Sequence, residues 1–97
     1  MKYAIVGGTG DLGFGLALRL AYSGYTVIIG SRTLEKAQSA ADEIKEKTGT
    51  KDVAGMDNVD AVKAGDIIVL AVPSLARKDI LDTIKPYTVG KIILDVT

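Results

Sequence analysis

The 97-residue sequence contains no cysteine and no histidine. Without cysteine the chain can form no disulfide, no thiolate nucleophile and no thiolate metal site. Without histidine it lacks the commonest metal ligand and the usual acid–base group near neutral pH. We therefore expect neither a metal site nor a catalytic side chain of these types in this chain.

The sequence also has no excess of positive or negative charge and no long apolar run. Twelve Lys and Arg residues balance twelve Asp and Glu residues, so the net charge is zero. No overall field therefore favours nucleic acid, an anionic membrane or acidic substrates. No apolar stretch approaches the ~20 residues of a membrane span, and the first run, 3–6, breaks at Gly7, too early for a signal peptide. The expectation is a cytoplasmic protein without a nucleic-acid or membrane partner.

Short β-rich runs alternate with helical patterns along the chain. Runs of Val, Ile and Leu predict strands at 3–6, 25–29, 67–72 and 91–96, with a weaker candidate at 52–54. Helical patterns occupy 12–23, 34–47, 59–64 and 75–84. Near-continuous apolar strands are typical of a parallel sheet covered on both faces. The alternation predicts an α/β fold, a doubly wound parallel sheet of the Rossmann type with strand order 3-2-1-4-5.

Local signals mark the ends and faces of these helices. Gly24 follows the first helix, Thr33 is the expected N-cap of the second, and Asn58 precedes the third. Glu43 and Lys47 have the spacing of a helical ion pair. The first helix also carries small residues four apart, which predicts a smooth stripe against the sheet: Gly13, Ala17 and Ala21.

A glycine pattern, Gly8-x-Gly10-x-x-Gly13, follows the first strand and opens the first helix. In a dinucleotide-binding turn the first glycine permits the tight turn and the second lets a pyrophosphate approach the backbone. The third allows the helix to pack closely on the strand. The phosphates would then lie on the free N–H groups at the helix N-terminus. The alternative is a structural glycine-rich turn. Asp11 is expected to cap the helix or face solvent.

The end of the second strand indicates which dinucleotide would bind. An NAD site usually has Asp or Glu there, about 20 residues past the glycines, to bind the ribose hydroxyls. This chain has Ser31 and Arg32 instead, with Lys36 one helical turn further on. A hydroxyl and two cations suit a 2′-phosphate, which favours NADP. Each cation taken singly could equally be a solvated surface charge.

Three segments resemble the NADP-binding domain of the reduced coenzyme F420:NADP oxidoreductases of archaea and bacteria. They are 7–20 (GGTGDLGFGLALRL), 29–32 (IGSR) and 71–73 (AVP). The resemblance covers essentially the whole chain, whereas pyrroline-carboxylate reductase and 6-phosphogluconate dehydrogenase share the general plan more loosely. It implies direct hydride transfer between NADP and a deazaflavin, coenzyme F420. That reaction needs positioning and exclusion of water, not an acid, base or nucleophile.

The resemblance also implies roles for individual residues. The pyrophosphate would be contacted by Thr9, Gly10, Asp11 and Leu12. The 2′-phosphate would be held by Ser31, Arg32 and Lys36. The channel between adenine and nicotinamide would be lined by Val72, Pro73 and Ala76. The family often has Asn at the position of Asp11, so the resemblance does not extend to that side chain.

These oxidoreductases carry a further, mostly helical part that forms a dimer and helps to build the deazaflavin pocket, and this sequence contains none of it. We therefore expect residues 1–97 to be the NADP-binding domain of a longer protein, with a second copy as a further partner. Two alternatives remain open from the sequence. One is an NADP-dependent reductase of a small imine or hydroxy acid, and the other is a non-catalytic NADP(H)-binding module.

Overall fold

The computed structural model describes residues 1–96, apart from the side chains of Ser74 and Ala76. Its strands are β1 (Lys2–Val6), β2 (Thr26–Ser31), β3 (Val53–Asp57), β4 (Ile67–Leu70) and β5 (Ile92–Asp95). Its helices are α1 (Asp11–Tyr22), α2 (Leu34–Thr48), α3 (Asn58–Ala64) and α4 (Ser74–Ile84). A 3-10 turn at Lys85–Tyr87 follows α4 and had no counterpart in the sequence-based prediction.

The five strands form one parallel sheet in the order β3-β2-β1-β4-β5. In its centre Ile5 of β1 pairs in register with Ile29 of β2 on one side and Val69 of β4 on the other. The doubly wound fold and the predicted strand order are confirmed. Because all strands are parallel, their carboxyl ends meet at one edge, where ligands bind in such sheets.

Separate apolar cores cover the two faces of the sheet. Ile5 and Ile29 pack in the core that α1 and α2 close, and Ile44 of α2 is fully buried there. Ala4 and Ile68 pack in the other core, which α3 and α4 close. On α1, Gly13, Ala17 and Ala21 are buried as the spacing predicts. Successive side chains along each strand point to opposite faces of the sheet, and each face packs against one pair of helices.

The weakest prediction concerned β3, which was expected at 52–54 but extends from Val53 to Asp57. Gly and Asp are depleted in strands, so the strand propensities of Gly55 and Asp57 do not predict the second half of β3. Packing explains the glycine. A Cβ built on Gly55 would lie 2.3 Å from the backbone carbonyl of Ala37, which places α2 directly against β3.

Several other boundaries moved by one or two residues. β4 was predicted to reach residue 72 but ends at Leu70. Thr33 occupies the N-cap position of α2 as predicted, although its side chain caps no N–H group. Asn58 is the first residue of α3 and not its cap, which corrects the prediction. Asp57 caps α3, because its Oδ1 accepts a 2.9 Å hydrogen bond from the backbone N–H of Asp60.

Two exposed features complete the fold. Glu43 Oε2 and Lys47 Nζ are 3.3 Å apart, which confirms the predicted helical ion pair. β5 pairs only with β4, and its apolar side chains Ile92, Ile93 and Leu94 remain 45–53% exposed. Within residues 1–96 no helix is both long enough and apolar enough to cross a membrane.

Candidate cofactor-binding site

The glycine loop between β1 and α1 lies at the carboxyl edge of the sheet and is held from both sides. The backbone N–H of Gly8 donates a 2.9 Å hydrogen bond to the carbonyl oxygen of Gly30 at the end of β2. On the other side, a Cβ on Gly7 would lie 2.6 Å from the carbonyl oxygen of Ala71, just after β4. Gly7 also has a φ of +79°, a conformation that favours glycine. The loop is therefore wedged into the crevice where the strand order reverses.

The three glycines of the predicted motif differ in whether packing of the fold requires a residue without a side chain. A Cβ on Gly8 would lie 2.8 Å from Ile29 Cγ2, and one on Gly13 would lie 2.4 Å from the carbonyl oxygen of Gly7. Packing within the described chain therefore excludes a side chain at both positions. At Gly10 the nearest atom would be the Gly7 oxygen at 3.6 Å, an ordinary contact, and φ is −78°. The fold has no need of glycine at residue 10.

Gly10 is the N-cap of α1, and its carbonyl accepts a 2.8 Å hydrogen bond from Phe14 N–H. No described side chain caps this helix end. The first N–H groups of a helix have no acceptor within the helix, and the aligned peptide dipoles make this end positive. Asp11 is exposed and does not cap, which selects the solvent-facing alternative for it. Leu12 is 48% exposed beside it. This end of α1 presents backbone donors suited to an anion.

Two hydroxyl groups join the glycine loop to the end of β2. Thr9 Oγ1 and Ser31 Oγ are 3.4 Å apart, and Ser31 Oγ also accepts a 3.2 Å hydrogen bond from Thr33 N–H. Ser31 is almost completely buried, whereas Arg32 and Lys36 are exposed. Neither cation makes an ion pair with another residue in the part of the chain that is described.

The two cations lie on different sides of this hydroxyl pair. Lys36 lines an open groove with Thr9, Phe14 and Ser39, between α1 and the start of α2. Arg32 and Ser31 line a cavity of about 530 Å³ that extends from the end of β3 to α4. We call this second space the α3–α4 cavity. The structure thus brings Thr9 and Ser31 together, whereas Arg32 and Lys36 line two different spaces beside this pair.

The segment after β4 reaches the same edge of the sheet. Val72 is buried, and its Cγ2 would lie 3.1 Å from a Cβ on Gly7. Pro73 is exposed and is the N-cap residue of α4. The side chain of Ala76, the third residue expected along this channel, lies outside the described part of the structure. Val72 therefore lies beside the glycine loop, and Pro73 follows it at the start of α4.

Sequence reasoning missed one residue of this region, Asn58. This residue is buried and lines the α3–α4 cavity, and its Oδ1 has no hydrogen-bond partner among the described residues. The sequence treated Asn58 only as a helix start. The spacing of Asp57 and Asp60 resembles a capping box and could have shown that the cap is Asp57.

A doubly wound sheet with a glycine loop leading into an uncapped helix defines the dinucleotide-binding Rossmann class. Solved structures agree on the fold. The lactate dehydrogenase of Cryptosporidium parvum superposes with a TM-score of 0.81 at 16% identity, over 99% of this chain and 37% of that one. A candidate F420-dependent NADP reductase from Arthrobacter sp. FB24 superposes with a TM-score of 0.79 at 26% identity, over 99% and 45%.

Sequence comparison identifies the family within this class. A family model described as "NADP oxidoreductase coenzyme F420-dependent" matches residues 2–97, so the chain belongs to that family. The F420-dependent NADP reductase of Methanothermobacter thermautotrophicus is 46% identical over all of this chain and 43% of its own length. That of Methanocaldococcus jannaschii is 45% identical over 99% and 44%. The chain thus spans less than half the length of these relatives.

Proposed function

We propose that this chain binds NADP and positions its nicotinamide for hydride exchange with coenzyme F420. The observation that carries the proposal is Gly10. The fold tolerates a side chain there, yet the residue is glycine at the uncapped start of α1. A ligand that approaches the backbone closely explains the missing side chain, and a pyrophosphate on the helix N-terminus is such a ligand. Thr9, Asp11 and Leu12 contribute backbone contacts around it.

The same geometry supports NADP over NAD. No carboxylate follows β2 in the sequence, at the position where NAD sites hold the ribose hydroxyls, although Asp57 of β3 is paired in register with Ser31. Thr9 and Ser31 offer hydroxyl groups there, and Arg32 and Lys36 approach from the two flanks without competing ion pairs. A phosphate placed between two unpaired cations gains charge-assisted hydrogen bonds from both. In this arrangement the 2′-phosphate replaces the contact that an acidic side chain makes in NAD sites.

At the other end of the cofactor the chain offers packing and no reactive group. Val72 lies beside the glycine loop, Pro73 follows it at the start of α4, and Ala76 lies within α4. NADP itself supplies the hydride chemistry, and the protein supplies position and a dry environment. A chain without cysteine and histidine is suited to this division of labour.

We infer further that these residues are the NADP-binding domain of a longer enzyme. The named F420-dependent relatives are more than twice as long as the part this chain matches. Contacts to the deazaflavin and to a second copy of the protein are assigned to the part of those relatives that this chain does not span.

The test is a pair of calorimetric titrations of the chain, with NADP⁺ and with NAD⁺, at one fixed salt concentration. NADP⁺ is expected to bind at least about tenfold more tightly, because only it carries the phosphate that Arg32 and Lys36 contact. Arg32→Ala should weaken NADP⁺ by about 10- to 150-fold, equivalent to about 1.5–3 kcal/mol, and leave NAD⁺ nearly unchanged. Lys51→Ala is the matched control, since Lys51 is exposed at the opposite edge of the sheet, before β3.

Equal losses for both cofactors in Arg32→Ala would refute the 2′-phosphate assignment. Failure of the wild-type chain to bind either cofactor would refute the proposed binding function itself. The reaction is tested with a protein of the relatives' full length, by following oxidation of reduced coenzyme F420 on addition of NADP⁺. Turnover without any deazaflavin, either reduction of a small imine by NADPH or oxidation of a hydroxy acid by NADP⁺, would replace the F420 assignment.

A further inference from the structure

Among the described side chains, the first half of α4 has no contact with the apolar core. The helix packs into that core through three side chains of its second half: Ile80, Leu81 and Ile84. In the first half Leu75 is fully exposed, and the N-cap residue, Pro73, makes no side-chain hydrogen bond to the helix. Apolar packing therefore fixes the end of α4 but leaves its start without support from the described side chains.

An ion pair supplies the missing support. Arg77 Nη2 contacts Oδ2 of Asp95 at the end of β5. Asp95 is paired in register with Leu70, the last residue of β4, and the backbone N–H of Val96 donates a 3.2 Å hydrogen bond to the Leu70 carbonyl oxygen. The backbone that carries the carboxylate is thus held in the sheet. The ion pair therefore ties the first half of α4 to a fixed point at the carboxyl end of β5.

The segment held in this way is the one expected to line the cofactor channel. Pro73 precedes Arg77 by four residues, about one helical turn or 6 Å along the axis. Ala76 is the residue directly before Arg77. On the other side Val72 is buried, and its Cγ2 would lie 3.1 Å from a Cβ on Gly7. The channel residues therefore lie between the glycine loop and the ion pair.

Partial exposure of the pair favours a role in positioning over a role in global stability. The side chain of Arg77 is 26% exposed and that of Asp95 is 47% exposed. A pair this accessible to water changes an equilibrium constant by about fivefold at most. Such a factor is small compared with the folding equilibrium of a domain. It is large enough to decide which of two orientations of a helix start is the more populated.

We propose that the ion pair between Arg77 and Asp95 positions the start of α4 for contact with the nicotinamide half of NADP. The proposal rests on the function proposed above. Both residues act through the channel segment and not by touching the cofactor. When the pair is broken, the start of α4 takes other orientations and the nicotinamide loses contacts. The other half of the cofactor keeps its contacts, because the glycine loop and the end of β2 do not depend on this pair.

The test compares NADP⁺ with 2′-phospho-ADP-ribose, which is the same molecule without the nicotinamide. The ratio of the two dissociation constants, measured by calorimetric titration, reports what the nicotinamide contributes to binding. The wild-type chain is expected to bind NADP⁺ at least about fivefold more tightly. Arg77→Met and Asp95→Asn each break the pair and should reduce the ratio to below about twofold. Binding of 2′-phospho-ADP-ribose should stay unchanged in both.

The two variants also distinguish positioning from a direct effect of charge. The nicotinamide ring of NADP⁺ is positive, so loss of the Arg77 cation would favour it, and loss of the Asp95 carboxylate would disfavour it. Charge alone therefore moves the two ratios in opposite directions, whereas positioning lowers both. Lys78→Met is the matched control, because it removes an exposed cation next to Arg77 and leaves the pair intact, so its ratio should equal that of the wild type. Arg77→Lys retains a cation for Asp95 and should restore most of the ratio.

The outcomes separate this inference from the proposed function. A wild-type ratio near one, with tight binding of NADP⁺, overturns the inference and leaves cofactor binding standing. An unchanged ratio in Arg77→Met or in Asp95→Asn also overturns it, as do ratios that move in opposite directions. Equal losses for both ligands overturn it as well, because the pair would then act on the fold as a whole. Absence of NADP⁺ binding to the wild-type chain overturns the proposed function together with this inference.

Discussion

Gly10→Ala separates what a ligand requires of the glycine loop from what the fold requires. The added Cβ would meet only the Gly7 carbonyl oxygen, at 3.6 Å, so the free chain accommodates it without strain. The remaining cost to stability is the poorer capping ability of alanine relative to glycine, under about 1 kcal/mol. In the complex the same methyl group would occupy the space proposed for the pyrophosphate. We expect at least about tenfold weaker NADP⁺ binding, or about 1.4 kcal/mol.

Two neighbouring glycines supply the contrast in stability and in binding. Gly13→Ala places a Cβ 2.4 Å from the Gly7 oxygen and should destabilise the chain by at least the ~1–3 kcal/mol typical of overpacking. Gly15→Ala meets no atom within 4 Å and lies inside α1, where alanine is the better helix former. It should stabilise the chain by about 0.5–1 kcal/mol and leave binding unaffected.

The assay combines urea unfolding of each variant with calorimetric titration of NADP⁺. We expect Gly10→Ala to be stable and to bind weakly, Gly13→Ala to be unstable, and Gly15→Ala to be stable and to bind tightly. Two results would refute this expectation. One is a loss of stability in Gly10→Ala as large as that in Gly13→Ala, and the other is wild-type affinity in Gly10→Ala.

Three further predictions test the supports of the site and its electrostatics. Asp57→Ala should lower the free energy of unfolding by about 0.5–2 kcal/mol because α3 loses its cap, whereas Asp57→Asn should retain most of it; urea unfolding compares the two, and equal losses would contradict the capping role. Lys91 Nζ donates to the carbonyl oxygens of Val62 and Lys63 at the end of α3, the latter at 2.8 Å. Lys91→Met should therefore cost about 1–2 kcal/mol by thermal unfolding without changing NADP⁺ affinity, and an unchanged Tm would argue against this contact. Raising the salt concentration from about 0.05 M to about 0.5 M should reduce the preference for NADP⁺ over NAD⁺, because Arg32 and Lys36 are exposed and screened; a salt-independent preference would point to a different origin.

The sheet was predictable because most of its strands are continuous runs of apolar, β-branched residues. The runs around Ile5, Ile28 and Ile68 are apolar on both faces, which only a sandwiched parallel strand satisfies. The same argument fails for β3, where Gly55 reflects the close approach of α2 and not a strand preference. The end of β4 was overestimated because Ala71 and Val72 continue its apolar run, although the neighbouring strand β1 ends at Val6, before the turn at Gly7.

The site residues were likewise predictable where they lie close to a motif in the sequence, and not where they depend on packing between distant segments. Glycine spacing located the loop, and the sequence after β2 located Ser31 and Arg32, since these residues are close in sequence to the strand ends that carry them. The contact between Thr9 and Ser31 was not predicted. Asn58 could not be found this way, because it is buried against Gly30 of β2, which is distant in the sequence. For the same reason the sequence grouped Arg32 with Lys36, although they line different spaces. Contacts between distant segments decide these details.

The stability of the domain can also be raised at the open edge of the sheet at β5, which is remote from the proposed nucleotide site. Ile92, Ile93 and Leu94 are each about half exposed, and covering such side chains contributes roughly 1 kcal/mol apiece. β5 pairs with β4, and the segment that follows β4 contacts the glycine loop at Gly7. A protein surface that binds β5 in the folded chain but not in the unfolded chain would raise the unfolding temperature of the whole sheet. Ligand binding at the loop and coverage of the edge would therefore add their stabilisation in one cooperative unit, even though they share no contact.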